Sequence, residues 1–360
     1  PAHEEKLFKA LDSFNIELPS WGFANTGTRF GKFVQPAAAI TTEEKFADAG
    51  QVHRFTACCP SVAVHVLWDF PEGVASVEQV KAAAAKHGVR IGAINPNVFQ
   101  DQIYKHGSFA NPDPEVRDAA LAHCFDCIAI QNATGSRDLS LWFADGASFP
   151  GAQNIRKRKA WFTECLQAVH AKLSGDQRML VEYKPFEPYF YFTDLADWGM
   201  SYVLSKAAGP RAKVLVDTGH HYQAQNIEQI VAWLLSEDML GGFHFNDRRY
   251  ADDDLTMGSI DPYQTFRIFH EIAYFECLHE VKLIVDLIYS GGMMNMWRSV
   301  SNTSEYGGLT ARDQVINEQS KAAMERLLDR ICSGEFAKEW LEDAQKGMPR
   351  MKALEKAESE

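Results

Sequence analysis

Four residues of this chain stand where a cation could be held. Glu182 lies in Leu180-Val181-Glu182-Tyr183-Lys184, and Asp217 in Leu215-Val216-Asp217-Thr218-Gly219-His220. His244 lies in Gly242-Phe243-His244-Phe245-Asn246-Asp247, and Asp286 closes Leu283-Ile284-Val285-Asp286. Each follows a short apolar run. Taken singly, Asp217 could cap a helix and Glu182 could pair with Lys184. Brought together, three carboxylates repel one another unless protonated or bound to a cation. An oxygen-rich set with one imidazole suits Mn²⁺, Mg²⁺ or Co²⁺ better than a thiolate-preferring ion. His220, three residues after Asp217, and Asp252-Asp253-Asp254 suggest a second ion that Glu182 would bridge, and two such ions can clamp two substrate oxygens. His221, next to His220, is then expected to point elsewhere. Trp21, Trp68 and Trp142, with His65, fall at or near the ends of other apolar runs and could cover the C–H face of a sugar.

Such residues need a scaffold that brings strand ends together. Eight apolar, β-branched runs are found at residues 16–23, 62–68, 89–94, 139–143, 179–183, 213–216, 241–245 and 281–285. Helical patterns separate them at 77–87, 114–133, 154–173, 195–208, 227–236 and 263–273. Alternating β and α segments indicate a parallel α/β sheet. Eight strands predict a single closed (β/α)8 TIM barrel, with functional residues at the C-terminal strand ends. Long connections at 95–112 and 247–261 are candidate functional loops. Two more helical patterns, 311–333 and 335–356, joined at Ser333-Gly334, predict a C-terminal extension packed on the barrel or on a neighbouring subunit. The expected division is a barrel over 1–310 and an extension over 311–360.

Composition narrows the partners. The 46% hydrophobic content of the 360 residues can fill a large core. A formal charge of −12 disfavours a nucleic-acid backbone, whose recognition needs clustered Lys and Arg. The longest basic cluster, Arg156-Lys157-Arg158-Lys159, reads as a solvated helix face. Seven cysteines without framework spacing, and no apolar leader segment, point to a reducing cytoplasm. His123-Cys124-x-x-Cys127 resembles half a zinc knuckle, but lies inside a helical pattern and reads as core, as does Cys58-Cys59. No apolar run is long enough to span a membrane.

Several phrases are similar to one family. Trp21-x-Phe23 with Gly27-Thr28-Arg29-Phe30, Asn95 to Asp101 (NPNVFQD), Asn132 to Asp138 (NATGSRD) and Leu141 to Gly146 (LWFADG) resemble the bacterial L-rhamnose isomerases of broad specificity. So do Glu182 to Pro188 (EYKPFEP), Val216 to His221 (VDTGHH) and Tyr250 to Leu255 (YADDDL). That family belongs to the xylose isomerase-like barrels, and the likeness runs from about Leu18 to Asp286. It implies one Mn²⁺-type ion on Glu182, Asp217, His244 and Asp286, and a second on Glu182, His220 and Asp252 with Asp254 beside it. Co²⁺ or Mg²⁺ are alternatives. It implies a monosaccharide meeting Lys184, His65, Trp21, Trp68, Trp142 and Phe99 of the NPNVFQD phrase. Phe30 resembles the family residue that enters a neighbouring subunit's pocket, implying a homo-oligomer, usually a tetramer. The chain departs from the family after Asp286, where a His-Asn pair is replaced by Leu287-Ile288-Tyr289-Ser290.

The implied chemistry interconverts aldose and ketose by moving hydrogen between C1 and C2. Hydride could shift directly while two metals hold O1 and O2, or a carboxylate or metal-activated water could take the C2 proton and give a cis-enediol. Lys184 could stabilise charge on O1, His65 could assist ring opening, and Glu182 and Asp286 belong to the catalytic set. The nearest rival is a ketose 3-epimerase, which expects a Glu at the end of the eighth strand. A metal-dependent endonuclease, which the acidic balance disfavours, and a non-catalytic sugar-binding protein are more distant rivals.

Overall fold

The computed structural model describes residues 8–25, 35–147, 153–185, 192–299, 306, 309–310 and 317–358. The chain divides into two compact units, Pro1–Leu278 and His279–Glu360. In the first, seven parallel strands form one sheet in chain order. They are β1 (Glu17–Pro19), β2 (Ser61–His65), β3 (Arg90–Asn95), β4 (Asp138–Leu141), β5 (Arg178–Glu182), β6 (Ala212–Asp217) and β7 (Leu240–His244). A separate antiparallel pair joins Gly146–Ala147 to Phe192–Thr193. Strands β2 and β6 are almost wholly buried, as expected for parallel strands covered on both faces, which read as unbroken apolar runs.

Helices start where the sequence offers side-chain acceptors. Thr41 and Glu44 form a capping box for Thr42–Thr56. Asp113, with Pro114 in the first turn, opens Pro114–Thr134, and Gly135 in the left-handed region (φ 73°) ends it. Asn154, Asp197 and Asn226 cap the helices Ile155–Lys172, Trp198–Ala208 and Ile227–Ser236. These helices alternate with the strands, so every strand runs the same way and the C-terminal ends gather on one side. Register aligns Asp217 with His244 and Glu182 with Leu215.

The family-like α/β barrel architecture is present, but the eighth run is not a strand. Residues 281–285 lie in the helix Pro262–Ser299, whose one non-helical residue is Gly292 (φ 74°). A short apolar run cannot be told from a buried helical stretch by its own pattern. Here Pro262 starts a helix and no Gly or Pro interrupts it before Gly291. Asp286, expected at a strand end, is therefore a helical residue of the second unit.

Smaller differences follow from local chemistry. The run 16–23 forms strand only over Glu17–Pro19 and then turns 3₁₀ over Ser20–Phe23, and 62–68 leaves the strand after His65. Arg158 is not on a solvated face: it is fully buried, its Nη2 is 2.6 Å from Asp194 Oδ2, and it donates to the carbonyls of His106 and Gly146. Its neighbour Asp145 accepts from Ser108 N, Ser108 Oγ and Ala110 N, and burial together with Asp194 lifts its carboxyl to about 6. Cys124 and Cys127 are fully buried, with burial pushing both thiols up, and His123 Nε2 accepts from Asn97 N at 3.0 Å. They belong to the core.

The second unit, taken alone, contains Glu318–Cys332, Glu335–Gln345 and Pro349–Glu358. The expected junction at Gly334 is a left-handed turn (φ 78°), and Gly347 (φ 81°) splits the second expected helix in two. Glu339 Oε2 pairs with Arg330 at 2.8 Å and Arg350 at 3.1 Å, tying the three helices by one carboxylate. Among the described residues no helix is long and apolar enough to cross a membrane.

Candidate metal and sugar site

Strand β5 delivers Glu182, β6 delivers Asp217, and the turn after β6 swings His220 back between them. Ligand-type atoms of Glu182, Asp217 and His220 all lie within 4.8 Å of one another, and all three residues are buried. His244, at the end of β7, brings Nδ1 to 3.2 Å from Glu182 Oε1 and 3.8 Å from Asp217 Oδ2. His220 Nδ1 lies 3.3 Å from that same Glu182 oxygen, so Glu182 stands between the two imidazoles. His220 Nε2 faces Asp217 Oδ2 at 3.7 Å and Asp252 Oδ1 at 3.5 Å.

Backbone and polar partners hold these groups in place. His220 Nδ1 is 2.9 Å from the Tyr183 carbonyl, a contact that sets Nδ1 as donor and leaves Nε2 directed at the carboxylates. Asp217 Oδ1 accepts from Gly219 N and Asn246 Nδ2, both at 2.8 Å. A Cβ at Gly219 would meet the Asn246 side chain, so a larger residue there would push away the amide that holds Asp217. His221 points away, as expected: its Nε2 meets Tyr183 Oη at 2.6 Å, and burial with the Arg248 charge lowers it to about 3, leaving it neutral.

The electrostatics follow from crowding. Burial by itself pushes His220 and His244 down, but it is outweighed by Asp217, Asp252 and Glu182 around His220 and by Glu182 and Asp217 around His244. Both rise to about 9. The Asp252 carboxyl is held far below the usual range, because His220 and Lys184 overcome its burial. Without an added cation, two protonated imidazoles and an ammonium balance the acids. Three carboxylates and two imidazoles in this arrangement are a donor set that fits a hard or borderline divalent ion.

Lys184 joins this cluster to the aromatic half. Its Nζ lies 2.9 Å from Asp252 Oδ2 and 5.4 Å from the Trp142 ring centroid. From Trp142 the wall continues through Phe99 (4.8 Å between centroids) to His65 (5.7 Å), Trp68 and Trp21. Trp68 Nε1 donates to Gln100 Oε1 at 3.0 Å. His65 is buried, burial holds its imidazole at about 3, and its Nδ1 has no hydrogen-bond partner among the described residues. A cavity of about 340 Å³ opens beside Lys184, His220 and Asp252, with Tyr222 and Tyr250 on its lining.

The structure thus brings together Glu182, Lys184, Asp217, His220, His244 and Asp252, and, through Lys184, Trp142, Phe99, His65, Trp68 and Trp21. Lys184 pairs with Asp252 and not with Glu182. Asp253 caps its own loop by accepting from Tyr250 N at 2.7 Å. Asp254 is exposed on a left-handed backbone (φ 51°). Phe30 lies outside the described residues. Asn246, the Tyr183 carbonyl and Tyr222 were not singled out from the sequence. Asn246 alone had a readable signal, a side-chain amide two residues past a strand-end histidine.

Comparison with known proteins agrees with the barrel. Residues 60–283 match the xylose isomerase-like TIM barrel family, and the chain belongs to that family. A probable sugar isomerase of Rhizobium meliloti is 39% identical over 265 residues, 72% of this chain and 61% of that protein. The chain therefore spans about three-fifths of the length of the probable sugar isomerases it matches. D-allulose 3-epimerase from Methylomonas sp. shares the fold, with a TM-score of 0.52 at 15% identity over 72% of this chain and 82% of that one. Residues 268–360 instead match the C-terminal domain of ketol-acid reductoisomerase. The enzyme of that name from Methanocaldococcus jannaschii, ketol-acid reductoisomerase (NADP(+)), is 56% identical over 90 residues, 25% of this chain and 27% of that one. This second likeness covers the stretch read from the sequence as an eighth strand.

Proposed function

We propose that the chain is a divalent-metal-dependent aldose–ketose isomerase, moving hydrogen between C1 and C2 of free monosaccharides, L-rhamnose and related sugars, in the cytoplasm. The observation that carries this reading is the continuity at Lys184, whose ammonium touches both an oxygen-rich cation site and an aromatic wall. The probable sugar isomerases that the chain resembles point the same way. The ketol-acid reductoisomerase likeness covers 27% of that enzyme, so the proposed chemistry rests on the first unit alone.

Two ions, Mn²⁺ first and Co²⁺ or Mg²⁺ as alternatives, would be held by Glu182, Asp217 and His244 and by Glu182, His220 and Asp252, with Asp254 at the rim. They would supply Lewis-acid polarisation of the sugar carbonyl and hydroxyl. The protein's own groups do the rest. The aromatic wall covers the C–H face of the sugar and excludes water. Lys184 donates to O1 as negative charge grows there. Neutral His65 offers its unpartnered Nδ1 to a ring hydroxyl during opening. Phe30 would complete the pocket of a neighbouring subunit in a homotetramer.

The ketose 3-epimerase reading is second: the helix over 281–285 removes the strand-end acid that both readings expected, but Glu182, Asp217 and His244 still offer the isomerase a cation site, whereas the epimerase lacks its second acid. Incubating the Mn²⁺-loaded protein with a panel of aldoses and ketoses, followed by chromatography, tests the proposal. Aldose–ketose conversion supports it. Products epimeric at C3 would favour the second reading, and unchanged sugars would refute both.

A further inference from the structure

One buried carboxylate outside the cation site ties together three of the residues that build the aromatic wall. Asp69 is fully buried at the end of the short helix Val66–Asp69, directly after Trp68. Its Oδ2 accepts from Ser20 Oγ at 2.6 Å and from the backbone N of His65 at 2.8 Å, and its Oδ1 pairs with Lys45 Nζ at 2.8 Å. Ser20 immediately precedes Trp21. Lys45 is 2% exposed and reaches across from the helix Thr42–Thr56, whose first residue donates from Thr42 Oγ1 to the Asp69 carbonyl at 3.2 Å.

Trp21 packs edge to face on both His65 and Trp68, and His65 lies tilted against Trp68. Trp21 lies 5.7 Å from His65 and 6.5 Å from Trp68 between ring centroids, and His65 lies 4.0 Å from Trp68. None of the three is anchored by a regular strand on both sides, since the chain leaves the sheet at Ser20 and again after His65. A buried ion pair is a poor source of net stability, but it fixes geometry when both carboxylate oxygens are engaged, as they are here by three donors. The charge of Lys45 also acts on His65, adding to the burial that keeps its imidazole neutral.

We infer that Asp69, with Lys45 as its counter-ion, is a positioning residue that sets the Trp21–His65–Trp68 corner and thereby the affinity for sugar. It touches no substrate itself. This inference rests on the proposed sugar isomerase reading for its kinetic arm and is independent of it for its spectroscopic arm.

The test uses the full chain loaded with Mn²⁺. In Asp69→Ala with Lys45→Met, the acceptor is lost without leaving a buried charge. KM for L-rhamnose should rise about tenfold while kcat stays within about threefold, a difference worth one hydrogen-bonded anchor. The near-ultraviolet circular dichroism of the coupled tryptophans should collapse in the same variant. Asp69→Asn with Lys45→Met keeps an acceptor for Ser20 and His65 and should restore both. If the alanine variant fails to fold, Ser20→Ala, which frees only the Trp21 side, should still alter the dichroism and raise KM. Native dichroism and wild-type KM in folded Asp69→Ala/Lys45→Met or in Ser20→Ala would overturn the inference. Absence of turnover in the wild type counts against the isomerase reading, and the dichroism then decides the role of Asp69.

Discussion

Lys184 Nζ stands 2.9 Å from Asp252 Oδ2 and 5.4 Å from the Trp142 ring centroid, so one ammonium serves two environments. It offsets an acid of the cation site and faces the wall expected to hold the sugar. Replacing it with methionine keeps the length and removes the charge. Lys184→Met should lower kcat about 100-fold, the loss typical of one donor to a developing oxyanion. Mn²⁺ should bind it at least as tightly as the wild type, because a competing cation is gone. Steady-state kinetics and a Mn²⁺ titration check both parts.

A second prediction concerns protons. His220 and His244 sit at about 9 without an added cation, and histidine is near 6.5 in an unfolded chain. Both pKa values are raised on folding, so their stabilising effect is full below about pH 6.5 and is lost as pH rises through about 9. The metal-free protein should therefore become less stable across that window, followed by thermal melts. Mn²⁺ must displace these protons, so its affinity should rise over the same interval. Calorimetry in two buffers of different ionisation enthalpy should register proton release near pH 7.

Arg158 supplies a structural test. Its guanidinium is fully buried against Asp194, with Asp145 close by. Arg158→Met leaves Asp194 without its cation, beside the buried Asp145, and should cost about 3–5 kcal/mol, the usual penalty for breaking a buried pair. Denaturant unfolding at pH 7 measures it. The loss should shrink towards pH 5, as Asp145, already lifted to about 6, takes up a proton.

The sequence made the site far more legible than the closure of the barrel. Glu182, Asp217 and His244 were readable because strand-end polar residues after apolar runs have few other reasons to be there. His220 and Asp252 followed from spacing and loop position. The eighth strand, and with it the strand-end place of Asp286, was misread because Val281 to Val285 looks the same in a strand and in the middle of a helix, and only the unbroken stretch back to Pro262 distinguishes them. Arg158 failed because its partners, Asp194 and the carbonyls of His106 and Gly146, are distant in sequence. Asp69 was invisible for the same reason: its donors come from residues 20, 45 and 65.

Glu182 is the residue on which the cation site turns, since its Oε1 lies within 3.3 Å of both site imidazoles. The most direct measurement is a Mn²⁺ titration of the metal-stripped full chain, followed by the paramagnetic resonance of free Mn²⁺, beside the same titration of Glu182→Gln. Saturable binding in the wild type, weakened by about 100-fold or more in the variant, is the predicted result for loss of a bridging carboxylate. Equal affinity in the two proteins would contradict it.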